Sequence, residues 1–183
     1  MSKLTISLCL VALATTTVAA EPVKLQLHGG AGAAVVDVEE CPGGNGLPCD
    51  LETVRHSVSG AGPLLAIGVL KQVTSQSQLK VRLGADLASS FVADGNGVGG
   101  TLGLLGKFGL GLGPVYGDLG VGFSAMHLNT DDLDRTQGSM VIHFGAGVEL
   151  TEKLTLAARA DAHVMMHSEM AAAFIGGGLT WTP

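Results

Sequence analysis

The chain has 183 residues, 28 of them glycine, and a formal charge of −6. That length supports one domain, and the acidic balance excludes a nucleic-acid-binding surface, which needs clustered positive charge. The glycines are scattered through the apolar segments and exclude a mainly helical protein, since each glycine inside a helix costs about 1 kcal/mol.

Residues 1–20 read as a secretory signal. Lys3 supplies the positive start, Leu4 to Ala14 a short apolar stretch, and Val18-Ala19-Ala20 the small residues a signal peptidase requires. The apolar stretch falls short of the ~20 residues of a membrane-spanning helix. Cys9 lies within it without a lipoprotein-type sequence around it. The exported chain, 21–183, keeps two cysteines, Cys41 and Cys49, on either side of a Pro/Gly-rich turn. In an oxidising compartment such a pair reads as a disulfide, here one that stiffens a surface loop.

After residue 20 the apolar residues recur with period two, the signature of strands. Eight segments show it: 23–35, 65–69, 79–87, 101–112, 119–125, 140–150, 154–164 and 171–181. Several reach ten residues, the length of a strand that crosses a bilayer, about 9–11 residues, and exceed the soluble norm of about 5–6. One face of each segment is apolar. The opposite face carries glycine and charge: Lys24, Gln26, His28, Lys80, Arg82, Asp86, Lys107, His143, Glu149, Arg159, Asp161 and His163. Lipid outside and a polar interior produce that pattern, whereas a soluble barrel inverts it. The fold class expected is therefore all-β: an eight-stranded antiparallel transmembrane up-and-down barrel, closed because unpaired backbone groups are intolerable in lipid.

The connections are expected to alternate. Residues 36–60 and the acidic 129–139 form long loops on one side and 93–100 an intermediate one. Residues 74–78, 113–118 and 151–153 are short turns on the other, with 166–170 also short. This places both termini in the periplasm. Tyr116, within a short turn, and Trp181 would then mark the periplasmic interface.

In this pattern the chain resembles the small eight-stranded outer-membrane barrels of the OmpA/OmpX type. Its C-terminal stretch Gly176-Gly177-Gly178-Leu179-Thr180-Trp181 looks like the terminal-strand signal read by the barrel assembly machinery, with Gly176, Leu179 and Trp181 as its elements. The chain departs from the family in two respects: Thr182 and Pro183 follow the aromatic residue, and one Trp, one Tyr and five Phe are few for two aromatic girdles. The resemblance implies outer-membrane lipid and lipopolysaccharide as surroundings and the assembly machinery as a partner.

Few residues suggest chemistry. An eight-stranded barrel is just wide enough to be filled by side chains, so the inward charges read as a plug of ion pairs and hydrogen bonds, with an ion or proton path as the alternative. His28, His143 and His163 come from separate strands, and nothing in their spacing makes a metal site. His167-Ser168-Glu169 holds the residue types of a lipid A-modifying hydrolase, but neighbours in a strand point different ways. Asp131-Asp132-Leu133-Asp134 reads as a solvated acidic loop, and the first loop is similarly acidic; both are candidates to meet the divalent cations that bridge lipopolysaccharide. The reading adopted is a non-enzymatic barrel, without cofactor or metal. Its role is structural or in surface interaction through a disulfide-tied outer loop to a protein partner the sequence does not name. A narrow pore, a lipid-modifying enzyme and a soluble periplasmic β-protein are the alternatives.

Overall fold

The computed structural model describes residues 22–40, 54–76, 79–164 and 170–183. The segment read as a signal, the cysteine pair and the His167-Ser168-Glu169 tripeptide lie outside the described residues. Eight strands follow one another: β1 Lys24–Glu40, β2 Val54–Gln76, β3 Leu79–Asp94, β4 Gly97–Leu112, β5 Val115–Thr130, β6 Asp134–Glu149, β7 Leu154–Val164 and β8 Met170–Trp181. Each pairs antiparallel with its neighbours in sequence, and β8 closes onto β1.

The register fixes the geometry of the barrel. A path across the strands from Gln26 runs through Gly68, Asp86, Leu105, Gly122, Val141, His163 and Ala172 and returns to β1 at Val36, ten residues above its start. A stagger of ten over eight strands, with ~3.3 Å rise per residue and ~4.8 Å between strands, tilts the strands about 40° from the barrel axis. A 16-residue strand such as β4 then stands roughly 40 Å tall, well above the ~25 Å apolar band of a membrane barrel.

That excess height corrects the expected loops. Strands take up most of the residues assigned to connections: β1 continues to Glu40, β2 begins at Val54, β4 at Gly97 and β6 at Asp134. The acidic loop shrinks to residues 131–133, tied by the Thr130 N–H to the Leu133 carbonyl at 2.7 Å. The β3–β4 connection shrinks to 95–96, where the Asp94 carboxylate accepts the Asn96 N–H at 2.7 Å. The period-two reading stopped too early because alternation continues while the polarity of its two faces changes.

At the end that carries the termini, Gly113 takes a left-handed φ of 59° and turns β4 into β5 in two residues. The closing seam also depends on glycine. Gly30 and Gly32 of β1 face Gly178 and Gly176 of β8. A Cβ on Gly32 would run into the backbone of Ile175 and Gly176.

Candidate functional site, the two-storey barrel interior

The outside of the barrel carries a belt of exposed large apolar side chains on all eight strands, among them Leu27, Ile67, Leu87, Leu104, Leu119, Phe144, Leu156 and Ile175. At the levels of this belt the charged side chains point inward, beside a small buried apolar cluster of Ala66, Ala88, Leu105 and Val141. Gln26, His28, Arg82, Asp86, Lys107, Asp118, His143 and Arg159 line one internal cavity of about 40 Å³.

Neighbouring strands place these side chains close enough to pair. Lys107 Nζ lies 2.6 Å from Asp86, and Arg159 reaches the same carboxylate at 3.4 Å. Arg159 Nε donates to Asp161 at 2.6 Å. His143 bridges two carboxylates, Nδ1 to Asp161 at 2.7 Å and Nε2 to Asp118 at 2.9 Å. Both ring nitrogens are thus within hydrogen-bonding reach of a carboxyl group. This chain of pairs crosses from β3 and β4 through β7 and β6 to β5. Most of its members are nearly fully buried, which charge tolerates only with partners of this kind.

Nearer the termini, Glu149 takes Lys80 at 2.6 Å and also pairs with Arg82. The Arg82 guanidinium sits over the Tyr116 ring, 4.6 Å from its centre. Tyr116 is therefore an interior residue, which corrects its assignment to the interface: β5 begins at Val115, so Tyr116 falls on the inward parity. Lys24 is exposed at this rim, where it lines the mouth with Gln26 and Glu149. Further in, His28 Nδ1 and Thr180 Oγ1 are 2.9 Å apart, and His163 Nδ1 lies 2.7 Å from Ser124 Oγ, which in turn meets Ser139 Oγ at 2.6 Å.

The three interior histidines thus keep separate partners. Among the described residues no group of three or more metal-ligating side chains gathers anywhere. Of the residues read as an assembly signal, Gly176 faces the seam glycines, while Leu179 and Trp181 face outward in the belt.

Above His163 the interior turns apolar. Val36, Val38, Val58, Leu64, Val92, Met126, Leu128, Met170 and Phe174 form one buried cluster, with Leu133 of the short β5–β6 connection packed against it. The outward positions at these levels turn polar: Asp37, Arg55, Ser57, Ser59, His127, Asn129, Asp134 and Thr136. Asp37 and Arg55 pair at 2.7 Å. The Asp94 carboxylate accepts the Ser59 N–H at 2.8 Å. Ser59 and Asn96 together hold that carboxyl below the usual carboxylate range.

Sequence reading missed Asp118, Ser124, Ser139 and Thr180 as interior partners. Asp118 was hidden by its assignment to a turn; its parity with Gly120 and Gly122 was the available signal. The apolar cluster was missed because Val36, Val38 and Val58 were assigned to a loop.

No protein-family model matches this sequence, and no curated protein matches it either. Solved structures do. Neisserial surface protein A superposes with a TM-score of 0.50 at 12% identity, covering 90% of this chain and 99% of that one. The N-terminal β-barrel domain of Pseudomonas aeruginosa OprF gives 0.47 at 14% identity, over 88% of this chain and 99% of its own. Ail, the attachment invasion locus protein of Yersinia pestis, gives 0.42 at 11% identity, over 87% and 97%. The fold is that of the small eight-stranded outer-membrane barrels.

Proposed function

We propose that this protein is an integral barrel of the bacterial outer membrane with a structural or surface-display role, closed to conduction, and raising a rigid stub above the outer leaflet. The observation that carries the reading is the apolar belt. Side chains such as Leu104 and Phe123 are 62% and 74% exposed, an arrangement that is unfavourable in water and favourable in lipid. The charges behind the belt are paired inside the barrel, the reverse of a soluble barrel.

In this reading the interior is plugged twice, by ion pairs within the membrane and by the apolar cluster above it. The 40 Å³ cavity has room for about three waters at most, not for a continuous aqueous path. The rigid upper barrel presents residues 41–53, tied by a Cys41–Cys49 disulfide, to a protein partner at the cell surface. The polar outer face of the stub, with Asp37, Glu39, Asp134 and the nearby Asp131 and Asp132, lies at the level of lipopolysaccharide head groups. Export through the 1–20 signal and recognition of Gly176, Leu179 and Trp181 by the barrel assembly machinery complete the proposal.

The test is membrane fractionation followed by gel electrophoresis in detergent, with and without boiling. The expected result is an outer-membrane band whose mobility changes on boiling. Recovery in the soluble periplasm with unchanged mobility would overturn the membrane reading. Stepwise conductance of the pure protein in planar bilayers would overturn the closed interior while leaving the fold in place.

A further inference from the structure

The apolar belt is not even in depth. On the outer wall a groove of about 370 Å³ crosses β1, β8, β7 and β6. The register shows how it arises. Ala33, Ile175, Ala160 and Phe144 lie on one path across the four strands, and Val35, Ala173, Ala162 and Ile142 lie on the next. Phe144 and Ile175 stand out from the wall, while Ala160 and Ala162 face outward yet are half-buried. Ala34, Phe174 and Asp161 also line the groove. These three are buried and occupy the inward parity, so what they offer the groove is the backbone of its floor.

The lining and the level of the groove decide what fits it. The side chains that reach it are aliphatic and aromatic, so water there would lack the polar partners it needs. Left empty, the groove would forfeit dispersion contacts along both walls. A second copy of this chain is a poor match, because a convex barrel wall would meet Phe144 and Ile175 before it reached the alanines. A thin, flexible hydrocarbon chain reaches them. The groove is also continuous with the belt and ends at its upper edge. Val35 is the last apolar outward residue of β1, and Asp37, two residues on, belongs to the polar face and pairs with Arg55. A chain lying in the groove therefore descends from the outer leaflet.

We propose that this groove holds one acyl chain of lipopolysaccharide, the glycolipid of the outer leaflet, with the head group at the level of Asp37 and Arg55. The inference rests on the membrane reading above. The alanines of β1, β7 and β8 set the depth of the site, and Phe144 and Ile175 form its sides.

The test is to extract the full protein from outer membranes in mild detergent, purify it, and measure the lipid A and phospholipid retained per barrel. Retention of one lipid A on a monomeric barrel is expected. Ala160→Phe fills the groove and should lower that retention about tenfold, whereas Val121→Phe, in the exposed belt on β5, should leave it unchanged. Each variant is first checked for the heat-modifiable band; if Ala160→Phe does not fold, Ala162→Leu is measured in its place. Equal lipid A on the groove variant and the parent, phospholipid retained instead, or a lipid-free dimer that the groove variant dissolves would overturn the proposal. Any of these with the barrel still in the outer-membrane fraction removes only the occupant of the groove, while absence of the protein from that fraction removes the membrane reading itself.

Discussion

The lower and upper parts of this barrel are built from the same strands with the same alternation, yet they are opposites in cross-section. Around Leu119 the outside is apolar and the inside holds Asp118, His143 and Arg159. Around Val58 the outside holds Arg55, Ser57 and Ser59, and the inside holds the apolar cluster. A single rule covers both: each face matches the medium it meets, and the interior takes the opposite character. The lower interior holds together by ion pairs, which are directional and costly to break singly. The upper interior holds by burial, which is non-directional and grows with the apolar area removed from water. In the membrane reading proposed above, the lower part is adapted to lipid and the upper part to water.

The contrast gives a graded set of tests, each read from urea unfolding of the folded protein in lipid vesicles unless stated. The largest effect is expected where both parts depend on closure. Gly32→Val would push against the β8 backbone at the seam, and the compact, heat-modifiable band should not form on gels. Next is Asp161→Ala, which leaves Arg159 and His143 without their shared carboxylate and should cost about 3–5 kcal/mol; a loss below about 1 kcal/mol would mean that the lower network contributes little.

Leu128→Ala, in the fully buried upper cluster, should cost about 2–4 kcal/mol through lost burial and the cavity left behind. Leu119→Arg, in the belt, should cost about 2–4 kcal/mol. Ser57→Arg, outward-facing in the upper part, should stay within about 0.5 kcal/mol. Equal costs for these two arginines would erase the distinction between the two parts.

The smallest effect concerns pH. Because Asp94 has a lowered pKa in the fold, its contribution is present above the unfolded carboxylate pKa of ~3.9 and is lost as pH falls through the lower folded value. Asp94→Asn should therefore loosen the upper rim slightly at neutral pH, where the ionised carboxylate contributes, and flatten the further loss on acidification. Hydrogen exchange of the Ser59 amide would report it.

Much of this was legible in the sequence. The eight segments and their inward parity follow from alternation, and Arg82, Asp86, Lys107, His143, Arg159, Asp161 and His163 all occupy the inward face in the structure. Tyr116 and Asp118 were not legible as interior residues, because the Gly-Pro pair before them suggests a turn longer than the two residues it needs. The upper storey was not legible either: Val36 and Val38 alternate with Asp37 and Glu39, and without knowing where the lipid stops, apolar-inward and apolar-outward strands look alike.

What the sequence determined by itself was the local alternation and therefore the strands, since a period of two is a property of consecutive residues. Tertiary structure alone decided which carboxylate meets which cation, and where the inside changes from polar to apolar. Both depend on the ten-residue stagger, which sets how Arg159 of β7 reaches Asp86 of β3 and how Lys80 of β3 reaches Glu149 of β6 across the barrel. That stagger is a property of closing the sheet, which no single strand contains.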